Sequence, residues 1–313
     1  MQSKPDSDLI IILGTGGTIA GTAADAADNV GYTAAQIGVA QLIAAVPPLA
    51  ARRLETEQVA QLDSKDMDFA TWQVLAQAVA RHLARPEVSG LVITHGTDTL
   101  EETAWFLQRV LAPTKPVVIT AAMRPATALL ADGPQNLLDA VAVAADRYAS
   151  GVLVSFGGFI HAADQVRKVH SYRLNAFASA EGAHLGMVEE GQVRWLVQAA
   201  SGWPALGLER IARPASEWPR VQIVMNHVGA DGAIVRALLA HGVDGLVVAG
   251  TGNGTLSTGL EAALRSAQDH GVKVLRSTRC DAGPVTASVD ALPSAGALSP
   301  VKARVELILD LLA

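Results

Sequence analysis

Two clusters of hydroxyl-bearing residues stand directly behind apolar runs of the 313-residue chain. Gly14-Thr15-Gly16-Gly17-Thr18 follows the run at residues 9–13, and Thr94-His95-Gly96-Thr97-Asp98-Thr99 closes the run at residues 91–94. If those runs are strands, both clusters fall at C-terminal strand ends, where open α/β sheets hold their ligands. The first cluster is not a dinucleotide fingerprint, because Ile19 stands where a third glycine is needed. It is not a phosphate loop either, because Gly-Lys-Ser/Thr is missing. What remains is a loop with little bulk, in which a small molecule can lie against the backbone within reach of Thr15 or Thr18; the bland alternative is a tight turn. A threonine hydroxyl is a weak nucleophile and needs a neighbouring base or a group that lowers its pKa. Asp98 beside Thr97 can orient such a group or hold a substrate ammonium. The same loop also reads as a helix cap, with Thr99 as N-cap and Glu102 in the reciprocal position. His95 reads more readily as a structural histidine than as a catalyst. The eight histidines show no His-x-x-x-His spacing with acidic partners, so no metal site is expected. Gly-x-Ser-x-Gly does not occur, which removes the usual serine hydrolase route.

The elements that must position these clusters follow from the periodicity. Short β-type runs alternate with longer amphipathic ones, the pattern of an α/β protein with a mostly parallel sheet. Strands are expected at 9–13, 54–61, 91–94, 117–120 and 152–156. Thr33 and Gln36 look like a capping box opening a helix through about residue 45, ended by Pro47-Pro48. Further helices are expected at 69–83, 101–111 and 134–145. Residues 157–197 break into short Gly- and His-containing pieces without a clear pattern, and 199–219 holds three prolines and two tryptophans. A boundary is placed there: an N-terminal α/β domain at 1–198, a linker at 199–220 and a smaller flavodoxin-like α/β domain at 221–313. The second domain carries strands at 221–225, 245–249 and 273–276, with helices near 232–240, 258–269 and 300–312.

Length and composition bound the answer. At roughly 150 residues per domain the chain holds about two domains. It is 50% hydrophobic and 17% charged, too apolar for a disordered chain. Lys+Arg 24 against Asp+Glu 30 gives a net charge of −6. No basic cluster offers the footprint that a phosphate backbone requires, so nucleic acid is not an expected partner. The apolar runs are strand-sized, so no membrane span is expected. Lys4, Asp6, Asp8 and a five-residue apolar stretch do not make a signal peptide. Cys280 is the only cysteine, which allows no intrachain disulfide; a cytoplasmic location is expected.

Five motifs in order then show a resemblance. GTGGTIA at 14–20, THGTDTLEET at 94–103, AMRPA at 122–126 with ADGPQN at 131–136, Arg167-Lys168, and GNGTL at 252–256 together resemble the bacterial L-asparaginase/glutaminase family. The resemblance runs from about residue 9 to the C-terminus. It implies an amidohydrolase that converts L-asparagine to L-aspartate and ammonia with no metal or cofactor. It also implies a homotetramer, a dimer of dimers with sites between paired subunits. By this resemblance Thr18 is the nucleophile that forms an acyl-enzyme, and Tyr32 in Gly31-Tyr32-Thr33 is the loop tyrosine beside it. Residues 21–31 become a mobile lid. Thr97, Asp98 and the distant Lys168 form a Thr-Asp-Lys group, and the backbone at Gly96 and Thr97 supplies oxyanion donors. Without the resemblance Lys168 reads as a surface cation. Ser64 holds the α-carboxylate and Asp98 the α-ammonium; Ala122 offers its carbonyl to the scissile amide. Gly17 and Gly96 line the substrate, and Asn253 reaches a neighbour's site.

Two features depart from the family pattern. Lys65 follows the substrate serine where relatives often carry Gln or Glu, and it is expected to pair with Asp63 or Asp66 outside the pocket. No glutamate occurs between Glu261 and Glu306, where dual-amide relatives place one across the interface, so weak glutaminase activity is expected. The rival readings are a related amidohydrolase, such as a glutaminase-asparaginase or an amidotransferase subunit, and a non-catalytic amino-acid-binding module. The module would need neither Thr18 nor Lys168.

Overall fold

The computed structural model describes residues 9–180, 184–197, 202–286 and 291–313. The opening segment 1–8 and residues 198–201, at the start of the linker expected at 199–220, lie outside the described residues. The chain divides into two compact units, Met1–Leu208 and Glu209–Ala313.

The first unit is built on an eight-stranded mixed sheet. Strands β1 (Leu9–Gly16), β2 (Leu54–Leu62), β3 (Val88–Thr94), β4 (Val117–Thr120) and β5 (Val152–Phe156) run parallel, in the order β5-β4-β3-β1-β2. All eight residues of β1 are buried, because helices cover both faces of a parallel sheet and leave no polar alternation. From β1 the chain crosses to β2 on one side, and from β3 it crosses to β4 on the other. The strand order therefore reverses between β1 and β3, the point at which open α/β sheets hold their ligands. Both hydroxyl clusters stand there.

Residues 157–197 are not patternless. Strand β6 (Phe159–Ala162) forms a tight antiparallel hairpin with β5, and β9 (Gly186–Glu189) and β10 (Gln192–Trp195) extend the sheet antiparallel beyond it. Between them β7 (Val166–Lys168) and β8 (Phe177–Ser179) form a separate two-stranded ribbon. Runs of three and four residues are too short for a period-2 signal to emerge from sequence.

The helix expected from Thr33 begins later, at α1 (Val39–Ala44). Thr33 instead pairs its backbone with Thr22, N–H to carbonyl at 2.9 Å in both directions, and Ala35 adopts φ 56°. An extended bridge and a left-handed residue are incompatible with a first helical turn, so the capping box does not form. Helix α2 (Phe69–Leu83) is capped by Asp68, which accepts from the Thr71 N–H at 2.7 Å. It lays Trp72 and Leu75 under the sheet, with Trp72 stacked on Phe106 of α3 (Leu100–Leu111). Helix α4 (Gly133–Ala144) packs on β3, β4 and β5.

In the second unit β11 (Val221–Met225), β12 (Gly245–Gly250) and β13 (Lys273–Thr278) form a parallel sheet in chain order, flanked by α5 (Ala233–His241), α6 (Thr258–Asp269) and α7 (Pro300–Leu311). Its core joins Leu246 and Val248 to Val235, Leu260 and Leu264. No helix among the described residues is long and apolar enough to cross a membrane.

Candidate active site

Three strand ends converge through glycine contacts. Gly17 lies at φ 80°, ψ −174°, a backbone conformation essentially reserved for glycine. A Cβ there would sit 2.4 Å from Gly96 Cα and N, so the loops after β1 and β3 touch backbone to backbone. A Cβ on Gly96 would meet Ser64 Oγ, also at 2.4 Å, which brings in the turn after β2. Ser64 is 2% exposed; its Oγ accepts from the Asp98 N–H at 3.2 Å and its carbonyl from Thr99 Oγ1 at 2.8 Å. Thr99 occupies the N-cap of α3, but its hydroxyl is spent on Ser64 and makes no cap bond, correcting the capping-box reading.

Two hydroxyls sit on this frame with polar partners. Thr18 Oγ1 lies 2.6 Å from the Tyr32 hydroxyl. Lys168 Nζ donates to Thr97 Oγ1 at 2.9 Å and to Asp98 Oδ1 at 2.5 Å. The β7–β8 ribbon delivers the Lys168 side chain, 20% exposed, and the Asp98 side chain keeps 53% exposure. One Asp98 oxygen thus meets lysine while the carboxylate still faces outward. Thr18 and Thr97 are themselves buried. Thr15, the other hydroxyl of the first cluster, is committed to the Thr94 carbonyl at 2.9 Å. The Gly17 N–H is likewise bound to the Leu62 carbonyl, so Gly17 contributes close approach rather than a donor.

His95 is fully buried, with Nδ1 against the Gly96 carbonyl at 2.7 Å and Nε2 against Thr103 Oγ1 at 3.0 Å, which also accepts from Trp72 Nε1. Burial holds its pKa down at about 4, against a backbone bond to Gly96 that works the other way. Between pH 6.5 and 4 the unfolded chain therefore binds a proton that the native state refuses. Its contribution to stability is complete above pH 6.5 and is lost as pH falls toward 4. A shift of that size costs roughly 2 to 3 kcal/mol of unfolding free energy between pH 7 and pH 4.5. Urea unfolding at the two pH values is expected to show this loss, and His95→Gln is expected to reduce it; an unchanged pH dependence in the variant would overturn the assignment.

Among the described residues no group of three or more His, Cys, Asp or Glu is arranged to hold a metal ion. The chemistry at hand is that of hydroxyls, a lysine and a carboxylate. Residues 9–201 match the family described as Asparaginase, N-terminal, and residues 220–312 match the Glutaminase/Asparaginase C-terminal domain.

The chain belongs to the asparaginase family.

L-asparaginase 2 of Escherichia coli K12 is 38% identical over 311 residues, covering 96% of this chain and 88% of the relative. A glutaminase-asparaginase of Pseudomonas fluorescens biotype A is also 38% identical, over 90% of this chain and 78% of its own length. The crystal structure of a probable cytoplasmic L-asparaginase from Campylobacter jejuni superposes with a TM-score of 0.91 at 38% identity, covering 97% of this chain and 95% of that one.

Within this asparaginase fold Lys65 turns outward, 62% exposed, pairing with Asp63 at 2.6 Å and with Asp66 at 3.7 Å. Those carboxylates raise its pKa, Asp63 foremost. Asn253, exposed in the second unit, spends its amide on the Thr286 backbone, accepting at 2.8 Å and donating at 3.3 Å. Sequence reasoning assigned no role to Asp132 and Asn136, although it singled out their motif. Asp132 accepts from the N–H groups of Met123 and Arg124, and Asn136 donates to the Ala121 carbonyl, so the two brace the backbone around Ala122. Burial raises the Asp132 pKa despite those donors. The signal available in sequence was an acid and an amide four residues apart at a helix start, where both side chains fall on one side.

Proposed function

We propose that the chain is an L-asparaginase that hydrolyses L-asparagine to L-aspartate and ammonia through an acyl-enzyme on Thr18, without metal or cofactor. The carrying observation is the pair of hydroxyl contacts, Thr18 with Tyr32 and Thr97 with Lys168, mounted on loops that touch at Gly17 and Gly96. In this reading Thr18 Oγ adds to the side-chain amide carbon, and its proton passes along the Tyr32 hydroxyl to the departing nitrogen. The C–N bond breaks, ammonia leaves and an ester remains. Water then adds to the ester carbon, the bond to Thr18 breaks, and a proton returns to Thr18.

Lys168 donates to Thr97 Oγ1 and so fixes the hydroxyl that holds that water, whose proton passes to the departing Thr18 oxygen as the ester is cleaved. The outward face of Asp98 takes the substrate ammonium and Ser64 its α-carboxylate. A zwitterion is thereby read at both ends by groups whose partners are already fixed. Ala122 presents its carbonyl to the amide nitrogen, and residues 21–31 act as a lid that excludes water. Backbone N–H groups at Gly96 and Thr97 serve the developing oxyanion.

The active form is a homotetramer in which Asn253 completes a neighbour's site, and it acts in the cytoplasm. Weak glutaminase activity follows from the missing glutamate between Glu261 and Glu306. Ammonia release from L-asparagine and L-glutamine tests the activity and the amide preference: kcat/KM is expected to favour asparagine by at least about tenfold, worth roughly 1.4 kcal/mol at the transition state. Equal values identify a glutaminase-asparaginase instead, and absence of turnover on either amide leaves the amino-acid-binding module.

A further inference from the structure

The motif Ala131-Asp132-Gly133-Pro134-Gln135-Asn136 has no part in the chemistry above, yet its side chains are committed in an unusual way. Asp132 occupies the N-cap of α4, where a carboxylate ordinarily accepts from its own helix for about 1 kcal/mol. It makes no such bond. Its oxygens accept instead from Met123 N–H at 2.9 Å and Arg124 N–H at 3.0 Å, with Asn136 Nδ2 donating at 3.2 Å. That same Nδ2 donates to the Ala121 carbonyl at 2.9 Å, and Asn136 Oδ1 accepts from the Gly157 N–H at 3.1 Å. Backbone groups on both sides of Ala122 are thus fixed by two side chains from one helix start.

The same turn reaches the Thr18 loop. A Cβ on Gly133 would lie 2.9 Å from Ile19 Cγ1 and 3.6 Å from Ala122 Cβ, and Ile19 and Ala122 share a buried cluster with Ala20 and Leu42. Any shift of the α4 start therefore moves Ala122 against the residue that follows Thr18.

We infer that Asp132 and Asn136 are positioning residues for amide cleavage, holding the Ala122 carbonyl where it takes the N–H of the nitrogen leaving from Thr18's target. This rests on the roles of Thr18 and Ala122 proposed above. As the C–N bond breaks, the planar amide nitrogen becomes pyramidal and gains a proton. A carbonyl aimed at it then binds more strongly in the transition state than in the ground state, which raises kcat. In Asp132→Asn one of the two backbone N–H groups faces an amide NH2 rather than an oxygen, so the Ala122 segment loses its fixed geometry.

The test compares L-asparagine with the β-methyl ester of L-aspartate, whose departing oxygen carries no N–H for Ala122 to hold. Asp132→Asn is expected to lower kcat on asparagine by about 10²-fold and to lower the amide-to-ester ratio of kcat/KM by about tenfold. Asn136→Ser, which removes the bond to Ala121, is expected to act in the same direction and serves if Asp132→Asn does not fold. Equal losses on amide and ester, or an unchanged kcat in folded variants, overturn the inference. A wild type that releases no ammonia from asparagine overturns the proposed activity itself, and this inference with it.

Discussion

Alanine in place of Thr18 is expected to lower kcat for ammonia release from L-asparagine by at least about 10³-fold while KM changes little, the pattern of an interaction made only in the transition state. The Thr18 hydroxyl has the Tyr32 hydroxyl at 2.6 Å as its polar partner, so its removal deletes the attacking atom and leaves the loop framework standing. Thr97→Ala deletes the acceptor of the Lys168 bond and is expected to cost about 10²-fold or more in kcat. Because both hydroxyls serve one reaction sequence, the double variant is expected to be about as slow as the worse single variant rather than the product of the two. The deciding measurements are initial rates of all three variants, with quenched-flow mass spectrometry for an ester on Thr18. Unimpaired turnover in both single variants would overturn the mechanism; accumulation of ester on Thr97 would exchange the roles of the two threonines.

Gly17→Ala is expected to be a strongly disruptive single-methyl change in the first unit. Its backbone conformation costs a non-glycine residue about 1 to 3 kcal/mol. The added carbon would also stand 2.4 Å from Gly96 Cα and N and 2.7 Å from the His95 carbonyl carbon, all of them backbone atoms with no side chain to rotate away. Overpacking of that kind adds about 1 to 3 kcal/mol. Together they approach about 4 kcal/mol, a large share of the 5 to 15 kcal/mol that typically holds a protein folded. Urea midpoints of wild type and variant measure it. A variant that folds with less than about 1 kcal/mol of loss shows that the β1 and β3 loops can separate without penalty. In that event ammonia release should survive as well.

The strands that carry the site were legible because they are buried on both faces. Residues 9–13 and 91–94 are unbroken apolar runs, and a parallel sheet covered by helices produces such runs wherever it occurs. Helix α2 was legible for the complementary reason, since one apolar face recurs at helical spacing. The loop at 33–38 was misread because Thr33 and Gln36 satisfy a local capping rule, while the backbone bonds that decide their conformation come from Thr22 for Thr33 and from Ala20 for Gln36. Thr99 failed as a cap for the same reason: its hydroxyl found Ser64, distant in sequence, a better partner than its own helix. Short strands between 157 and 197 escaped because pairing partners, not periodicity, define them.

Residue types at strand ends, together with five ordered motifs, determined by sequence alone that this is an α/β amidohydrolase-like chain with hydroxyl clusters behind two strands. Strand burial, helix amphipathicity and motif spacing are local properties, and a linear reading captures them. Only the tertiary structure decided that Gly17 abuts Gly96, that Gly96 abuts Ser64, that Lys168 reaches Thr97 across 71 positions of sequence, and that Asp132 and Asn136 brace Ala122. Each depends on strand order and on the approach of segments distant in sequence. No pattern within a single segment encodes that meeting, because the free energy that enforces it belongs to contacts between segments.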